Sequence, residues 1–448
     1  MRDSSTIAAI ATAAGTGGVG IVRVSGSKAE AIALAITHLK KLTSHKAQLT
    51  SFFNQDNQLL DKGLVLFFKA PKSFTGENIV EFHAHGGPAL LQCLLDATIS
   101  NGATLAEPGE FTKRAFLNNK IDLTQAEAVA DIISASTAHA VVNAANSLSG
   151  KFSFKINILL EKLVEIRMYI EACLDFPEED IDFIEKGQIL EKLSQVQTEI
   201  NDILVVAKKG QIIQEGFQVC LIGKPNVGKS TLLNLFSQED LAIVTNIPGT
   251  TRDPVRALIN INGIPIKVVD TAGIHETNDP VEKAGIDKSI SIINTSSLAL
   301  VIIDDLNDID KYINYFLKLN QNVKLIWVFN KIDLIDKSPC VDLIGKHRVI
   351  SISAKFNEGI GLLEKEILDV FGVQSMDSNE SLYASRKRHI LALNDIDRYL
   401  KSALNNLNQP ELLAQDLLSA QNKLSSITGD FSPDDLLGEI FSRFCIGK

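Results

Sequence analysis

The segment GKPNVGKST, residues 223–231, is the most informative stretch for the architecture of the central part of the chain. It matches the pattern G-x-x-x-x-G-K-[ST], ends the apolar stretch FQVCLIG and precedes the helix-like stretch TLLNLFS. A glycine-rich turn between a buried strand and a helix lets backbone N–H groups and the helix dipole face phosphates. Lys229 would supply charge to the β- and γ-phosphates, and Ser230 a hydroxyl to Mg²⁺. The segment therefore predicts a P-loop that binds a nucleoside triphosphate.

Two later motifs indicate that the base is guanine. NKID, residues 330–333, ends an apolar strand, and SAK, residues 353–355, follows another. Asp333 can accept two hydrogen bonds from guanine N–H groups that adenine does not offer, while Lys331 would lie along the base. The backbone N–H of Ala354 can donate to guanine O6. If another base bound here, these buried hydrogen-bonding groups would be left unpaired, which is energetically costly. The groups therefore predict selectivity for GTP.

A further motif, DTAG at residues 270–273, marks the γ-phosphate side of the site. Asp270 is expected to hold Mg²⁺ through water, and the Gly273 N–H is expected to face the γ-phosphate. The next residue is Ile274, where GTPases of the Ras type have a glutamine that orients the attacking water. Isoleucine cannot orient water, so another group must position the attacking water for hydrolysis.

The segment NIPGTTRD, residues 246–253, follows the P-loop helix where switch I of a GTPase belongs. Thr251 is suited to be the second protein hydroxyl on Mg²⁺. Arg252 adjoins the switch, and we interpret it as an interface or structural residue and not as an arginine finger.

The pattern of apolar residues changes along the chain. From about residue 215, short apolar runs alternate with helical stretches, which predicts a parallel sheet with crossover helices. The runs are FQVCLIG (217–223), IKVVD (266–270), LALVIID (298–304), VKLIWVFN (323–330) and RVISIS (348–353). We therefore predict a Ras-like P-loop GTPase domain over residues 215–376.

Helical periodicity dominates on both sides of that domain. Residues 119–214 and 377–448 would form one helical bundle into which the GTPase domain is inserted, and two separate bundles fit the same pattern. Residues 1–118 are typical of an α+β domain, with strands at 19–26 and 62–70 and a helix at 88–102. The predicted fold class is thus multidomain, α/β with all-α.

Composition restricts the class of protein. A length of 448 residues suits about three domains. No run of about 18 or more uncharged apolar residues occurs, so no membrane span is expected, and the glycine-broken N-terminus argues against a signal peptide. Five scattered cysteines without a CxxC pair favour a reducing cytoplasm over zinc or disulfides. The net charge of −10 disfavours broad nonspecific nucleic-acid binding, and the best local basic patch is SRKR at 385–388, equally typical of a solvated helix start.

The chain resembles the MnmE family of tRNA-modification GTPases, also called TrmE, over essentially its whole length. Besides the GTPase motifs, the resemblance is carried by PGEFTKRAFLNNKIDLTQAEA (108–128) and the terminal FCIGK (444–448), which are more specific than any GTPase motif. It implies a potassium-activated GTPase whose G domains dimerise across the nucleotide. It implies that K⁺ is ligated by Asn226, Thr245, Ile247 and Thr250.

The resemblance also gives the water-orienting group and completes the nucleotide site. The family's carboxylate falls on Glu282, for which an acid in the first turn of a helix is the alternative interpretation. Motifs and resemblance together give the predicted GTP-binding set: Asn226, Val227, Gly228, Lys229, Ser230, Thr231, Thr245, Asn246, Ile247, Pro248, Gly249, Thr250, Thr251, Asp270, Thr271, Ala272, Gly273, Asn330, Lys331, Asp333, Ser353, Ala354 and Lys355.

For the N-terminal domain, the resemblance implies folate binding and homodimerisation. A 5-formyl- or 5,10-methylene-tetrahydrofolate would donate a one-carbon unit, with contacts from Arg23, Glu81, Lys120 and Lys448. An MnmG-type flavoprotein that uses FAD and NADH would join the homodimer in a heterotetramer. Together they would add an aminomethyl or carboxymethylaminomethyl group to the wobble uridine of certain tRNAs. The residue pattern alone reveals none of this.

Two features of the sequence have competing interpretations. His83 and His85 lie two apart on a strand and share a face, but no third ligand is evident, so no metal is assigned. The rival function is a regulatory switch GTPase of the ribosome-assembly kind, which would share every GTPase motif. A folate domain and a cysteine tail would be unnecessary in such a switch.

Cys445 is fourth from the C-terminus, and four interpretations of it compete. A prenylation signal fits poorly because Gly447 and Lys448 follow, and a reducing compartment disfavours a disulfide. An inert tail is favoured on the residues alone. Alternatively, Phe441 and Phe444 dock the tail against protein and deliver Cys445 to a site. The resemblance places Cys445 and Lys448 at the folate, which implies that the thiol serves modification chemistry and not GTP hydrolysis.

Overall fold

A computed structural model describes residues 5–175, 186–238, 257–270, 291–309, 312–313, 323–345, 347–372, 382–429, 434–442, 444 and 447. The chain divides into two compact units. The first comprises Met1–Ala130, Ser147–Gln197 and Asp395–Lys448, and the second comprises Asp131–Asn146 and Thr198–Asn394. The bounds 1–118, 119–214, 215–376 and 377–448 of the domains stay predictions.

The N-terminal sheet has six strands in the order β3–β4–β5–β2–β1–β6. Alternate residues of its strands, such as Val22, Val24 and Phe82, pack with two helices in a buried core, while Arg23 and Glu81 point to the other face. The elements are β1 (Ile7–Ile10), β2 (Gly17–Ser25), α1 (Ala29–Thr37), β3 (Ala47–Phe53), β4 (Leu59–Phe68), β5 (Ile79–Gly86), α2 (Pro88–Ser100), β6 (Thr104–Leu105) and α3 (Glu110–Leu117).

The three elements predicted in this region are present with slightly shifted bounds. The strands expected at 19–26 and 62–70 are β2 and β4, and the helix expected at 88–102 is α2. Proline at the first position of α2 fits its start, since no intrahelical N–H is lost there. The residue pattern did not delimit β1, β3, β5 or β6.

The second sheet has seven strands in the order β12–β13–β11–β10–β7–β9–β8. The five predicted apolar runs correspond to β7, β9, β10, β11 and β13, which are parallel to one another. The two edge strands, β8 and β12, are antiparallel and were missed. The elements are β7 (Phe217–Ile222), α8 (Lys229–Gln238), β8 (Ala257–Ile261), β9 (Ile264–Asp270), β10 (Leu298–Ile303), β11 (Lys324–Phe329), β12 (Cys340–Ile344), β13 (His347–Ser351) and α9 (Ile360–Val370).

The parallel strands of this sheet are buried on both faces. Leu298 to Ile303 of β10, for example, are all almost inaccessible to solvent. Strands covered on both faces lose the alternation of apolar and polar residues, which explains why they occur as continuous apolar runs. Because they are parallel, their carboxyl ends meet at one edge, where Gly223, Asp270 and Asn330 lie.

The remaining helices confirm the helical periodicity in the sequence. Their inward residues are buried, as at Leu159, Leu163, Ile166 and Ile170, and α6 packs against α11. None of the described helices combines the length and the apolar character needed to cross a membrane. These helices are α4 (Leu123–Ser134), α5 (Ala138–Leu148), α6 (Lys151–Asp175), α7 (Lys186–Glu215), α10 (Lys387–Asn405), α11 (Pro410–Thr428) and α12 (Asp434–Ser442).

Candidate functional site

The P-loop turn joins β7 to α8 as predicted. Gly223 and Gly228 have φ angles of +159° and +104°, which side chains rarely tolerate. A Cβ on Gly228 would lie 2.1 Å from the Asn330 amide nitrogen. Asn226 also has a positive φ, +63°, in the left-handed region. This backbone directs the loop and the start of α8 towards the edge at which the parallel strands end.

Lys229, the first residue of α8, lies inside the turn. Its ammonium donates to the carbonyl oxygens of Gly223 at 2.7 Å and Lys224 at 2.8 Å, and the residue is largely buried. The positive charge therefore lies in the concavity of the loop, next to Ser230 in sequence. This arrangement agrees with a lysine that serves phosphate oxygens.

Asn330 connects the P-loop to the two base motifs. Its Nδ2 donates to the carbonyl of Val227 at 2.8 Å, and its Oδ1 accepts from the backbone N–H of Ala354 at 3.0 Å. One buried side chain thus fixes the spacing between GKPNVGKS, NKID and SAK. The sequence predicts that these motifs form one site, and the contacts of Asn330 confirm that they adjoin one another.

The NKID motif borders a cavity of about 700 Å³ through Ile332 and Asp333. Asp333 lines it, and the Ser353 hydroxyl donates to Asp333 Oδ1 at 2.7 Å, which orients the carboxylate. Lys331 has a φ of +69° and forms an ion pair with Asp304 at 2.7 Å. A carboxylate oriented at the wall of a cavity is the arrangement expected for guanine recognition. The other lining residues are Asp336, Lys337, Ser338, Pro339, Phe356, Glu358 and Gly359.

Asp270 is the last residue of β9 and lies opposite Leu221 of β7. This register brings it to the same edge as the P-loop, as the prediction for an Mg²⁺-linked aspartate requires. The other predicted residues of this side lie outside the described residues: Thr245, Asn246, Ile247, Pro248, Gly249, Thr250, Thr251, Thr271, Ala272, Gly273 and Glu282. Arg252 and Ile274 lie outside them as well.

In the first unit, Arg23 and Glu81 form the centre of a second polar site. They are register partners on β2 and β5, and Arg23 Nε donates to Glu81 Oε1 at 2.8 Å. His83 Nε2 lies 3.1 Å from the second oxygen, Oε2. The guanidinium is 5.7 Å from the centre of the Phe111 ring, within the range of a cation–π contact. Aromatic and charged groups therefore orient Arg23 from two sides.

The C-terminal tail reaches this site. Arg23 Nη1 donates to the carbonyl of Gly447 at 3.4 Å. Gly447 is buried with φ +95°, and a Cβ there would lie 2.3 Å from the carbonyl oxygen of Ile10. Phe441 and Phe444 are buried as well, in a cluster with Leu123 and Ala126. These two aromatic residues therefore dock against protein, as the interpretation of a docked tail requires. Cys445 and Lys448 lie outside the described residues.

Lys120 and the second histidine do not join the Arg23–Glu81 pair. Lys120 donates to the carbonyl of Pro71 at 3.1 Å, on the connection between β4 and β5. His85 is mostly exposed and bonds through Nδ1 to Asp61 at 2.9 Å. Burial, the largest influence, raises the pKa of Asp61, but hydrogen bonds from His85 outweigh it and hold that pKa below its ordinary value. His83 and His85 thus engage different carboxylates.

Several contacts of these two sites were not found from the sequence. His83 lies two residues from Glu81 on one strand, so their shared face was a usable signal for the contact. The approach of Gly447 to Arg23 had no local signal, because the two residues are 424 positions apart. The ion pair of Lys224 with Asp308 was missed too, because the P-loop pattern leaves position 224 unspecified.

A P-loop between β7 and α8, an aspartate ending the adjacent strand and an Asn-Lys-x-Asp loop on a third strand define a P-loop GTPase domain. Matches to two family models cover almost the whole chain. Residues 6–120 match the GTP-binding protein TrmE N-terminus, and residues 123–445 match the MnmE helical domain. The chain belongs to the MnmE family of tRNA modification GTPases. It is a GTPase that takes part in tRNA modification. The alternative function, a regulatory switch GTPase of the ribosome-assembly kind, is therefore disfavoured.

Relatives match the chain over its full length. The tRNA modification GTPase MnmE of Nitrosomonas eutropha is 47% identical, and that of Francisella tularensis subsp. novicida is 46% identical; each alignment covers 100% of both chains. Among solved structures, a single-residue variant of Aquifex aeolicus Era bound to GDP and AlF4⁻ is 26% identical, with a TM-score of 0.28 over 41% of this chain and 66% of that one.

Proposed function

We propose that this GTPase is activated by potassium, and that its hydrolysis serves a tetrahydrofolate-dependent modification of wobble uridine in tRNA. The observation that carries the proposal is the pair of bonds made by Arg23, one to Glu81 and one to Gly447. Through them, the N-terminal sheet is joined to the tail that contains Cys445 and Lys448. A pure switch GTPase has no need for such a second polar site.

For hydrolysis, the residues present suit two cations. Asn226 offers a side-chain oxygen from the P-loop, and its left-handed backbone fits a loop that curves around phosphates. With carbonyl and hydroxyl oxygens of Thr245, Ile247 and Thr250 it would hold K⁺, which supplies positive charge between the β- and γ-phosphates. Mg²⁺ would be held by Ser230 and Thr251, with Asp270 acting through water.

We assign the orientation of the attacking water to Glu282. Ile274 follows DTAG and has no polar group, so the position used by Ras-type GTPases offers no water contact. A carboxylate can accept hydrogen bonds from the water and hold it in line with the γ-phosphate. Arg252 is then free to serve an interface.

For the modification, the Arg23–Glu81 face suits a folate. A folate carries both carboxylates and amide-like N–H groups, and a guanidinium and a carboxylate bind these two kinds of group respectively. The bound 5-formyl- or 5,10-methylene-tetrahydrofolate would supply the one-carbon unit. Lys120 and Lys448 would add cationic contacts, and Cys445 would act in the modification itself.

The proposal also includes the assembly. The chain would form a homodimer through its N-terminal domain. A flavoprotein of the MnmG type, with FAD and NADH, would join this dimer in a heterotetramer and supply the redox chemistry, for which the sequence of this chain shows no motif. The net charge of −10 fits a partner that supplies much of the tRNA-binding surface. The whole assembly would work in the cytoplasm.

Titration with 5-formyl-tetrahydrofolate tests the folate site. The full-length protein should bind it, and Arg23→Ala should weaken binding at least tenfold because a charge-assisted contact is lost. Arg348→Ala is the control, since Arg348 pairs with Glu366 in the other compact unit. If the wild-type protein binds no tetrahydrofolate, the folate proposal fails.

Cys445→Ser tests the tail. The variant should keep its GTPase rate in potassium while tRNA modification in cells fails, because serine is a far weaker nucleophile than a cysteine thiolate. A variant that modifies tRNA at the normal level would show that the tail is structural only.

A further inference from the structure

Lys224, the second residue of the P-loop, is held by two contacts. Its ammonium bonds to Asp308 Oδ2 at 2.5 Å, and its carbonyl accepts from the Lys229 ammonium at 2.8 Å. The P-loop pattern accepts any residue type at this position. These contacts therefore indicate a role that the motif does not specify.

Asp308 is the fixed member of the ion pair. Its side chain is 4% exposed, whereas that of Lys224 is 49% exposed. It ends a 3-10 turn, Leu306–Asp308, that follows β10 and is capped by Asp305. A buried carboxylate needs its cation, so the pair is costly to break from either side. The hydrogen bond from Lys224 to Asp308 also raises the pKa of Lys224, which keeps the ammonium charged.

The P-loop is thus attached to neighbouring strands at both ends. Asn330, after β11, holds Val227 near the end of the loop, and Asp308, after β10, holds Lys224 at its beginning. Binding groups that are already in place cost no reorganisation when a ligand arrives. We propose that Asp308 is a positioning residue for GTP: through Lys224 it holds the start of the P-loop, and the carbonyl that receives Lys229, in the binding geometry.

The charge of Asp308 makes this proposal specific. A carboxylate beside a loop for phosphates repels the nucleotide unless a cation neutralises it. Loss of Lys224 alone removes the attachment together with the ammonium that bonds to this carboxylate, whereas loss of the Asp308 charge removes only the attachment. The double variant removes the repulsion again. Lys224→Met should therefore be worse than Asp308→Asn, and the double variant should bind better than Lys224→Met.

The experiment is a titration of the full-length protein with a fluorescent GDP analogue, combined with GTPase kinetics. Asp308→Asn should raise the dissociation constant about fivefold, and Lys224→Met about twentyfold. The double variant should return to about fivefold. Lys224→Arg should stay near wild type, since it keeps the charge. The KM for GTP should follow these changes, while kcat at saturation changes less than about twofold.

Glu366→Gln is the matched control. Glu366 is another mostly buried carboxylate, 10% exposed, paired at 2.8 Å with an exposed cation, Arg348. Arg348 is at the amino end of β13, away from the edge that carries the P-loop. This control should lower the unfolding temperature but not nucleotide affinity. If it weakens binding as much as Asp308→Asn does, or if the double variant is weaker than Lys224→Met, the positioning role is wrong.

Discussion

The nucleotide site and the Arg23 site differ in the range of the contacts that complete them. Lys229 bonds to Gly223, six residues away, and the other contacts of the P-loop come from the ends of parallel strands, at most 103 residues away. Arg23 joins Glu81 on the paired strand, 58 residues away, and also Gly447, 424 residues away. The first site is a turn fixed by the strands of one sheet, whereas the second adds the C-terminal tail to a pair on neighbouring strands.

This difference predicts that the two sites fail separately. Damage to the nucleotide site should change GTP binding or hydrolysis and leave the tail contacts of Arg23 intact. Damage to the tail should leave the P-loop intact, because the residues that hold the P-loop all belong to the second compact unit. Four substitutions or conditions, ordered by the size of the expected effect, test this separation.

Glu282→Ala should have the largest effect, a loss of about 10²–10³ in kcat, since one polar contact made only in the transition state is removed. The affinity for GTP should stay within about twofold, because the carboxylate acts on water. Single-turnover hydrolysis and nucleotide titration measure the two quantities. A parallel fall in affinity would show that Glu282 is structural, as an acid in the first turn of a helix would be.

Asp333→Asn should weaken GTP binding about 10²-fold, because an amide offers one acceptor where the carboxylate offers two. Xanthine has a carbonyl where guanine has its exocyclic amine, so the variant should prefer XTP. Competition between GTP and XTP for a fluorescent nucleotide measures the preference. Ser353→Ala should show a smaller loss of the same kind, since Ser353 only orients the carboxylate. A variant that still prefers GTP would contradict the assignment of the cavity.

The sequence predicted the five parallel strands of the second sheet for a physical reason. They are covered on both faces, so they appear as continuous apolar runs, and the P-loop, DTAG, NKID and SAK motifs each follow one run. The edge strands β8 and β12 were missed because they are only partly covered and have mixed polarity. Lys224 and Asp308 were missed because no pattern constrains either residue type.

The N-terminal site was not predictable from local patterns. Arg23 and Glu81 are polar residues on alternating strands, a common arrangement on a sheet face that meets solvent. Their contact depends on the register of β2 with β5, and the approach of Gly447 depends on the path of the whole chain. Only the resemblance of the sequence to a known family singled these residues out.

Replacement of potassium by sodium should lower kcat about tenfold or more, because a cation between the phosphates does part of the work of an arginine finger. Asn226→Ala should abolish the difference between the two salts. Folate affinity should be the same in both salts, which makes it the internal control for the separation of the sites. Equal GTPase rates in potassium and sodium at one ionic strength would exclude this mechanism.

Gly447→Ala should have the smallest effect and should act on the Arg23 site alone. The backbone of Gly447 has φ +95°, and a Cβ would meet the carbonyl oxygen of Ile10 at 2.3 Å, so the tail must shift or the residue must be strained. A strain of about 1 kcal/mol lowers the ratio of docked to undocked tail about fivefold. Affinity for 5-formyl-tetrahydrofolate should therefore fall by at most about fivefold, while the GTPase rate in potassium stays unchanged.

Gly438→Ala controls for the loss of a glycine in the same region. Gly438 lies in α12, and a Cβ there would meet no atom within 4 Å, so the substitution adds helix propensity without a clash. It should leave both folate affinity and GTPase rate unchanged. If Gly447→Ala keeps wild-type folate affinity, the tail does not contribute to that site. If it lowers the GTPase rate as well, the two sites are coupled, and the separation drawn from their contacts is wrong.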